Sequence, residues 1–443
     1  MPDTTRTQKE PAQPSSRRVP RRVSQALIQS LKGGVVPRVG LPYITVGRSA
    51  EIEALLRDVE IVSEGGSSFR FIVGRYGSGK SFLLQTIRNN VMDRGFVVMD
   101  ADLSPERRLT GTRGQGLATY RELISNLATK TRPEGGALTL VLDRWIDAVR
   151  SREGADPSEK RIREIILSLG EMVHGIDFAH LITLYFRASM SGDDEARGRV
   201  IKWLRGEYAT RTEARRELGV NAIITDDDWY DYLKLFASFF RLAGYKGLVI
   251  FIDELVNIYK IPQSVARNSN YEKILTMYND TLQGKARYLG ILMSGTQQCV
   301  EDTRRGIYSY EALRSRLAEG KFSCEGARDM LAPVIRLEPL TSEEMLVLCE
   351  KLADLHASLY NCQRSVTTAD LAAFIRIEYG RIGADSHITP REVIRDFIEL
   401  LDILYQHPGK TAQQILGSDA FSYAQAQMDE GDDVDEAFAD FIL

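Results

Sequence analysis

A chain of 443 residues is long enough for two or three domains, and 43% hydrophobic with 27% charged residues is the balance of an ordinary globular protein, not of a disordered or fibrous one. Lys and Arg number 57 against 61 Asp and Glu, a net charge of −4, so there is no global positive field to hold nucleic acid non-specifically, although local patches remain open. The four cysteines (Cys299, Cys324, Cys349, Cys362) form no C-x-x-C pair, which argues against a disulfide scaffold and a zinc site. No apolar run approaches about 18 residues and the N-terminus lacks a secretory apolar stretch, so the expectation is a reduced, cytoplasmic protein with no membrane partner.

In chain order, residues 1–40 carry eight basic residues against Asp3 and Glu10, and residues 1–22 are rich in Pro, Ser and Thr. A disordered basic arm over 1–30 is expected. From there to residue 335, short apolar runs alternate with helical patterns. The runs are FRFIVG (69–74), FVVMD (96–100), GLVIFID (247–253) and LGILMSG (289–295). Runs apolar on both faces predict a parallel sheet covered by helices, an α/β sandwich. The charge-rich helical patterns over about 105–246 predict an insertion on one side of that sheet. Residues 336–408 read as a wholly helical lid, and 409–443 as an acidic tail ending in the apolar Phe438, Phe441, Ile442 and Leu443.

The strongest chemical signal is Gly74-Arg75-Tyr76-Gly77-Ser78-Gly79-Lys80-Ser81, a complete G-x-x-x-x-G-K-S between a strand and the helix that begins SFLLQTIRNN at Ser81 and Phe82. Glycines let the backbone fold around phosphates, and the helix N-terminus adds positive potential. Lys80 would reach the β- and γ-phosphates and Ser81 would ligate Mg²⁺. The acidic pair Asp253-Glu254 ends a buried run. Asp253 would hold Mg²⁺ through water and Glu254 would polarise the attacking water. No N-K-x-D motif for guanine occurs, so ATP is preferred over GTP.

Further candidates follow. Ser294 and Thr296 end the strand LGILMSGT, either sensing the γ-phosphate or forming an ordinary strand exit. Arg314 and Arg316 in YEALRSRLAE (310–319) suit an arginine pointing into a neighbour's site. Arg391 in ITPREVIRDF follows Pro390 in the first turn of a lid helix, where it can reach the γ-phosphate. The segment 196–217 interleaves seven basic residues with Trp203 and Tyr208, either a DNA contact or a salt-bridged helix.

Together with VGRSAEIEALL (46–56), these elements in this order resemble the AAA+ superfamily, most of all its origin-recognition and STAND-type branches. The likeness implies a P-loop three-layer sandwich with a helical lid. It also implies Val46 and Gly47 beside the adenine, Arg391 as sensor 2, and Ser294 or Thr296 as sensor 1. A narrower resemblance, carried by KWLRGE (202–207), GYKGLVIFIDELVNIYK (244–260), RNSNYEKI (267–274), LQG (282–284) and DTRRGIYSYEALRSRL (302–317), is to the BREX-type, BrxD-like ATP-binding family. It implies a role in bacterial phage exclusion beside a helicase or other defence proteins. Only about 35 residues follow His407, which departs from origin-recognition relatives and their winged-helix domain.

The expected function is therefore an Mg-ATP-hydrolysing AAA+ switch or motor. It would assemble with copies of itself and act on DNA or with a partner helicase. The alternative is a nucleotide-gated assembly protein of negligible turnover that recruits a defence effector.

Overall fold

The computed structural model describes residues 19–153, 159–318, 320, 328–379 and 389–417. Residues 1–18 of the basic arm and 418–443 of the acidic tail lie outside the described residues. Contacts divide the chain into two units, Arg48–Pro339 and a second one formed by the segments before and after it.

The first described helix, α1 (Arg21–Lys32), departs from the expected arm over 1–30. Leu27, Ile28 and Leu31 form a buried helical stripe, and this apolar periodicity outweighs the charges of Arg21 and Arg22. A short α2 (Leu41–Ile44) follows. Both helices group with the C-terminal helices, so the boundary expected at residue 31 falls instead between Gly47 and Arg48.

In the larger unit, α3 (Ser49–Ser63) leads into β1 (Ser67–Val73), α4 (Lys80–Asp93) and β2 (Val97–Asp102). The stretch expected as an insertion contains α5 (Gln115–Ser125), α6 (Leu138–Glu153), α7 (Glu159–Ile166), α8 (Gly175–Ser191), α9 (Asp194–Leu204), α10 (Arg211–Leu218) and α11 (Trp229–Leu242). The chain then returns through β3 (Leu248–Asp253), α12 (Val256–Tyr259), α13 (Ser264–Leu282), β4 (Leu289–Gly295), α14 (Gln297–Glu301), α15 (Glu311–Leu317) and β5 (Val334–Arg336).

The strands form one parallel sheet in the order β2-β3-β4-β1-β5. Alternation along each strand feeds two cores. Phe71, Met99, Leu248, Ile250 and Ile291 pack against the insertion side, whereas Ile72, Val98, Val249, Phe251 and Leu292 pack against α3 and α4. The architecture is α/β, a helix–sheet–helix sandwich. No helix among the described residues is long and apolar enough to cross a membrane.

The smaller unit is helical. α16 (Ser342–Tyr360) and α18 (Pro390–Gln406) both pack on α1, with α17 (Thr368–Tyr379) and α19 (Ala412–Leu416) beside them. A polar link, buried at His356 and Asp402 but exposed at Lys32, joins the three helices. Asp402 accepts from Lys32 Nζ at 2.6 Å and lies 3.0 Å from His356 Nε2.

Candidate active site

The loop from Gly74 to Lys80 leaves β1 and opens α4. A Cβ at Gly74 would stand 2.5 Å from Ser78 Oγ and 3.1 Å from the Leu337 carbonyl, so close approach requires glycine there. Gly77 and Gly79 adopt φ of +75° and +90°, where side chains are strained. The loop thus wraps back on the free N–H groups of the α4 N-terminus, the arrangement that binds phosphate. Lys80 Nζ donates to the carbonyls of Gly74 at 3.0 Å and Arg75 at 2.8 Å, which holds the ammonium at the loop. Arg75 and Tyr76 are exposed at the rim, Ser78 is buried and Phe82 is half-buried.

Three expected residues meet at one carboxylate. Ser81 Oγ donates to Asp253 Oδ2 at 2.9 Å, and the Ser294 hydroxyl donates to Asp253 Oδ1. The strand order explains the meeting. Because β4 lies between β1 and β3, its C-terminal end delivers the fully buried Ser294 between the phosphate loop and Asp253. Thr296 does different work, since its hydroxyl caps α14 by accepting from the Cys299 N–H.

Glu254 sits at φ +63°, a left-handed conformation that costs a non-glycine residue about 1–2 kcal/mol. The turn is pinned on both sides. Leu255 N–H donates to the Ser294 carbonyl at 3.1 Å, Asn257 N–H to the Glu254 carbonyl at 3.0 Å, and Asn257 Nδ2 to the Leu103 carbonyl at 2.8 Å. Glu254 N–H donates to Asp253 Oδ1 at 2.8 Å, and its side chain is exposed at the strand ends. Strain retained by surrounding bonds is typical of functional sites.

Sequence reasoning missed three contributors. Asn257 pins the turn, but a lone Asn in a helix carries no signal of that. Asp102 lies opposite Asp253 in the β2–β3 register. Desolvation at the sheet rim, then the charges of Asp253, Asp100 and Glu254, hold its carboxyl above the ordinary range, with Arg107 opposing. Its signal is the acidic ending Asp100-Ala101-Asp102, two residues longer than the apolar run FVVMD (96–100). Arg48, within the V-G-R segment, donates to the carbonyl of Ser78 at 3.0 Å and of Glu338 at 2.7 Å.

The other expected residues belong to other elements. Arg314 and Arg316 are exposed and occupy the last turn of α15. Arg316 folds back to the Ala312 carbonyl, whereas Arg314 makes no side-chain hydrogen bond or ion pair among the described residues. Val46, Gly47 and Arg391 belong to the helical unit. Gly47 has φ +66° and faces the Glu344 carboxylate, while Arg391 is exposed in the first turn of α18 behind the Thr389 capping box.

The basic-aromatic reading of 196–217 as a stacking surface does not hold. Trp203 and Tyr208 are buried, with Trp203 Nε1 donating to the Ala222 carbonyl and Tyr208 Oη to Glu217. Arg197, Arg199, Lys202 and Arg216 are ion-paired, leaving Arg205, Arg211 and Arg215 exposed. The core of the insertion claimed the aromatic rings.

A hydroxyl and a carboxylate beside a phosphate loop are hard oxygen donors suited to Mg²⁺, which needs only one or two protein ligands when phosphates supply others. Among the described residues no group of three or more His, Cys, Asp or Glu could hold a metal by itself. No curated protein matches the chain. The family model for the BREX system ATP-binding protein BrxC/D matches residues 19–420, which takes in the phosphate loop, the Asp253-Glu254 turn and the C-terminal helices. With nine-tenths of its length matched and the phosphate loop intact, the chain belongs to the BREX system ATP-binding protein family BrxC/D.

Proposed function

We propose that this BREX protein hydrolyses Mg-ATP as an AAA+-type switch or motor, assembling with copies of itself and acting on DNA or with a partner helicase. The observation that carries the reading is the convergence of Ser81 and Ser294 on Asp253, one residue before the strained Glu254. Mg²⁺ bound there would neutralise charge on the β- and γ-phosphates. Lys80 supplies the fixed cation, Ser81 and Asp253 hold the metal, Ser294 orients Asp253, and Glu254 accepts a proton from the attacking water. The AAA+ resemblance alone gives Val46 and Gly47 an adenine-side role and Arg391 the role of a lid arginine. Arg314, exposed and without an acidic partner among the described residues, is the finger offered to a neighbouring subunit, in preference to Arg316.

Lys80→Ala should abolish nucleotide binding, and Glu254→Gln should retain binding while stopping turnover. Wild-type turnover in Glu254→Gln would remove it as the base. Loss of a trans finger costs about 10³–10⁵ in rate, so Arg314→Ala should bind ATP and be catalytically silent. Mixing it with Lys80→Ala should restore part of the activity. No rescue, with specific activity independent of protein concentration, would refute the finger. For DNA, the exposed Arg205, Arg211 and Arg215 predict phosphate contact without stacking. Neutralising two of them should flatten the dependence of log affinity on log salt by about two. An unchanged slope would remove this surface from DNA contact.

A further inference from the structure

A backbone loop that cradles phosphate must solve a polarity problem. Its N–H groups face the anion, so the carbonyls of the same peptides face the other way and need donors of their own. In a trans peptide the C=O of one residue is opposed to the N–H of the next. The Ser78–Gly79 peptide is therefore aimed by whatever holds the Ser78 carbonyl. That group is buried, and Arg48 donates to it at 3.0 Å. The same guanidinium donates to the Glu338 carbonyl at 2.7 Å, just beyond the strand β5 that pairs with β1. Arg48 is 6% exposed and has an acidic neighbour: Glu51, 2% exposed, lies 3.9 Å from Arg48 and accepts from Arg328 at 2.7 Å. Arg328 in turn donates to the Arg336 carbonyl at 3.1 Å. The phosphate loop is thus tied to the β5 edge through one guanidinium nitrogen, Nη2, which donates to both carbonyls while Nη1 faces Glu51, and a lysine side chain ends one bond short of that position.

We infer that Arg48 is a positioning residue for phosphate binding: by holding the Ser78 carbonyl away from the anion it turns the Gly79 N–H toward it. This rests on reading the loop as a phosphate cradle. The test measures displacement of a fluorescent ADP analogue from the full-length protein by ADP and by inorganic tripolyphosphate, which carries no base or ribose. Arg48→Met should weaken both competitors by about tenfold to a hundredfold, the range for losing hydrogen bonds from a charged donor. Arg48→Lys, whose ammonium stops one bond short of the Nη2 position, should fall between Arg48→Met and wild type, and it keeps the test decisive if the methionine variant does not fold. Asp58→Asn, which breaks the Arg70–Asp58 pair elsewhere in the same unit, is the control for general destabilisation and should leave both affinities unchanged. The inference is overturned if Arg48→Lys binds tripolyphosphate as wild type does, if ADP alone is weakened, or if Asp58→Asn weakens binding equally. Wild-type protein that binds neither competitor would instead overturn the phosphate-cradle reading beneath it.

Discussion

Glu254 concentrates the conflict between folding and chemistry. Its left-handed backbone is disfavoured for a side chain with a Cβ, yet bonds from Leu103 just after β2, from the following turn and from β4 hold it there. Asn tolerates that conformation better than Glu. Glu254→Asn should therefore raise unfolding free energy by up to about 1 kcal/mol while abolishing turnover, a trade measurable by denaturant titration beside an ATPase assay. Cys299 gives a second residue-scale expectation. Burial pushes its thiol up to about 11, and burial likewise pushes Cys349 up to about 12, whereas Cys362 is exposed. A folded-state value above the unfolded one keeps the thiol protonated in the native protein, and that stabilising difference disappears only as pH rises toward the folded value. Near pH 8, iodoacetamide should label Cys362 while sparing Cys299 and Cys349, as peptide mass mapping would reveal. Rapid native labelling of Cys299 would contradict its burial.

The elements obey local rules where the sequence states them strongly. α16 and α18 both begin with a capping box, Thr341 with Glu344 and Thr389 with Glu392. Each threonine side chain takes up a backbone N–H that the helix cannot satisfy itself. Thr341→Ala should cost about 1 kcal/mol of stability, read as a lower denaturation midpoint. No shift would mean water satisfies that N–H equally well. Other elements owe their existence to partners. The three residues of β5 carry no period of their own and become a strand by pairing with β1 from Phe71 to Val73. That pairing brings Leu337 against Gly74 and Glu338 within reach of Arg48. A sequence pattern of three residues could not announce it. The insertion illustrates the reverse error: aromatic residues among arginines suggested a stacking surface, but Trp203 and Tyr208 are core residues whose polar atoms have internal partners.

Across the molecule, the helical unit is assembled from both ends of the chain. α1 buries Leu27, Ile28 and Leu31 and packs on α16 and α18, so the beginning of the described chain stabilises its end. Leu27 is fully buried, and Leu27→Ala should cost about 2–5 kcal/mol. The expected readout is faster limited proteolysis within residues 342–406. Unchanged protection of α16 and α18 would show that they hold together without α1.

The phosphate loop, the acidic turn and the family were all readable from local sequence, because each depends on contiguous residues whose spacing is set by backbone geometry. The four longer strands were readable as well, since burial on both faces leaves an apolar run. What only the tertiary structure decided were the meetings. The insertion of β4 between β1 and β3 selected Ser294 over Thr296 as the partner of Asp253. Register brought Asp102 opposite Asp253, and packing drew residues 21–30 of the expected arm into α1. The carbonyl of Ser78 found its donor in Arg48, 30 residues away in sequence. Sequence spacing encodes what a segment can become, but a hydrogen bond between distant residues exists only once strand order and burial have placed the two groups together and removed the water that would otherwise satisfy them.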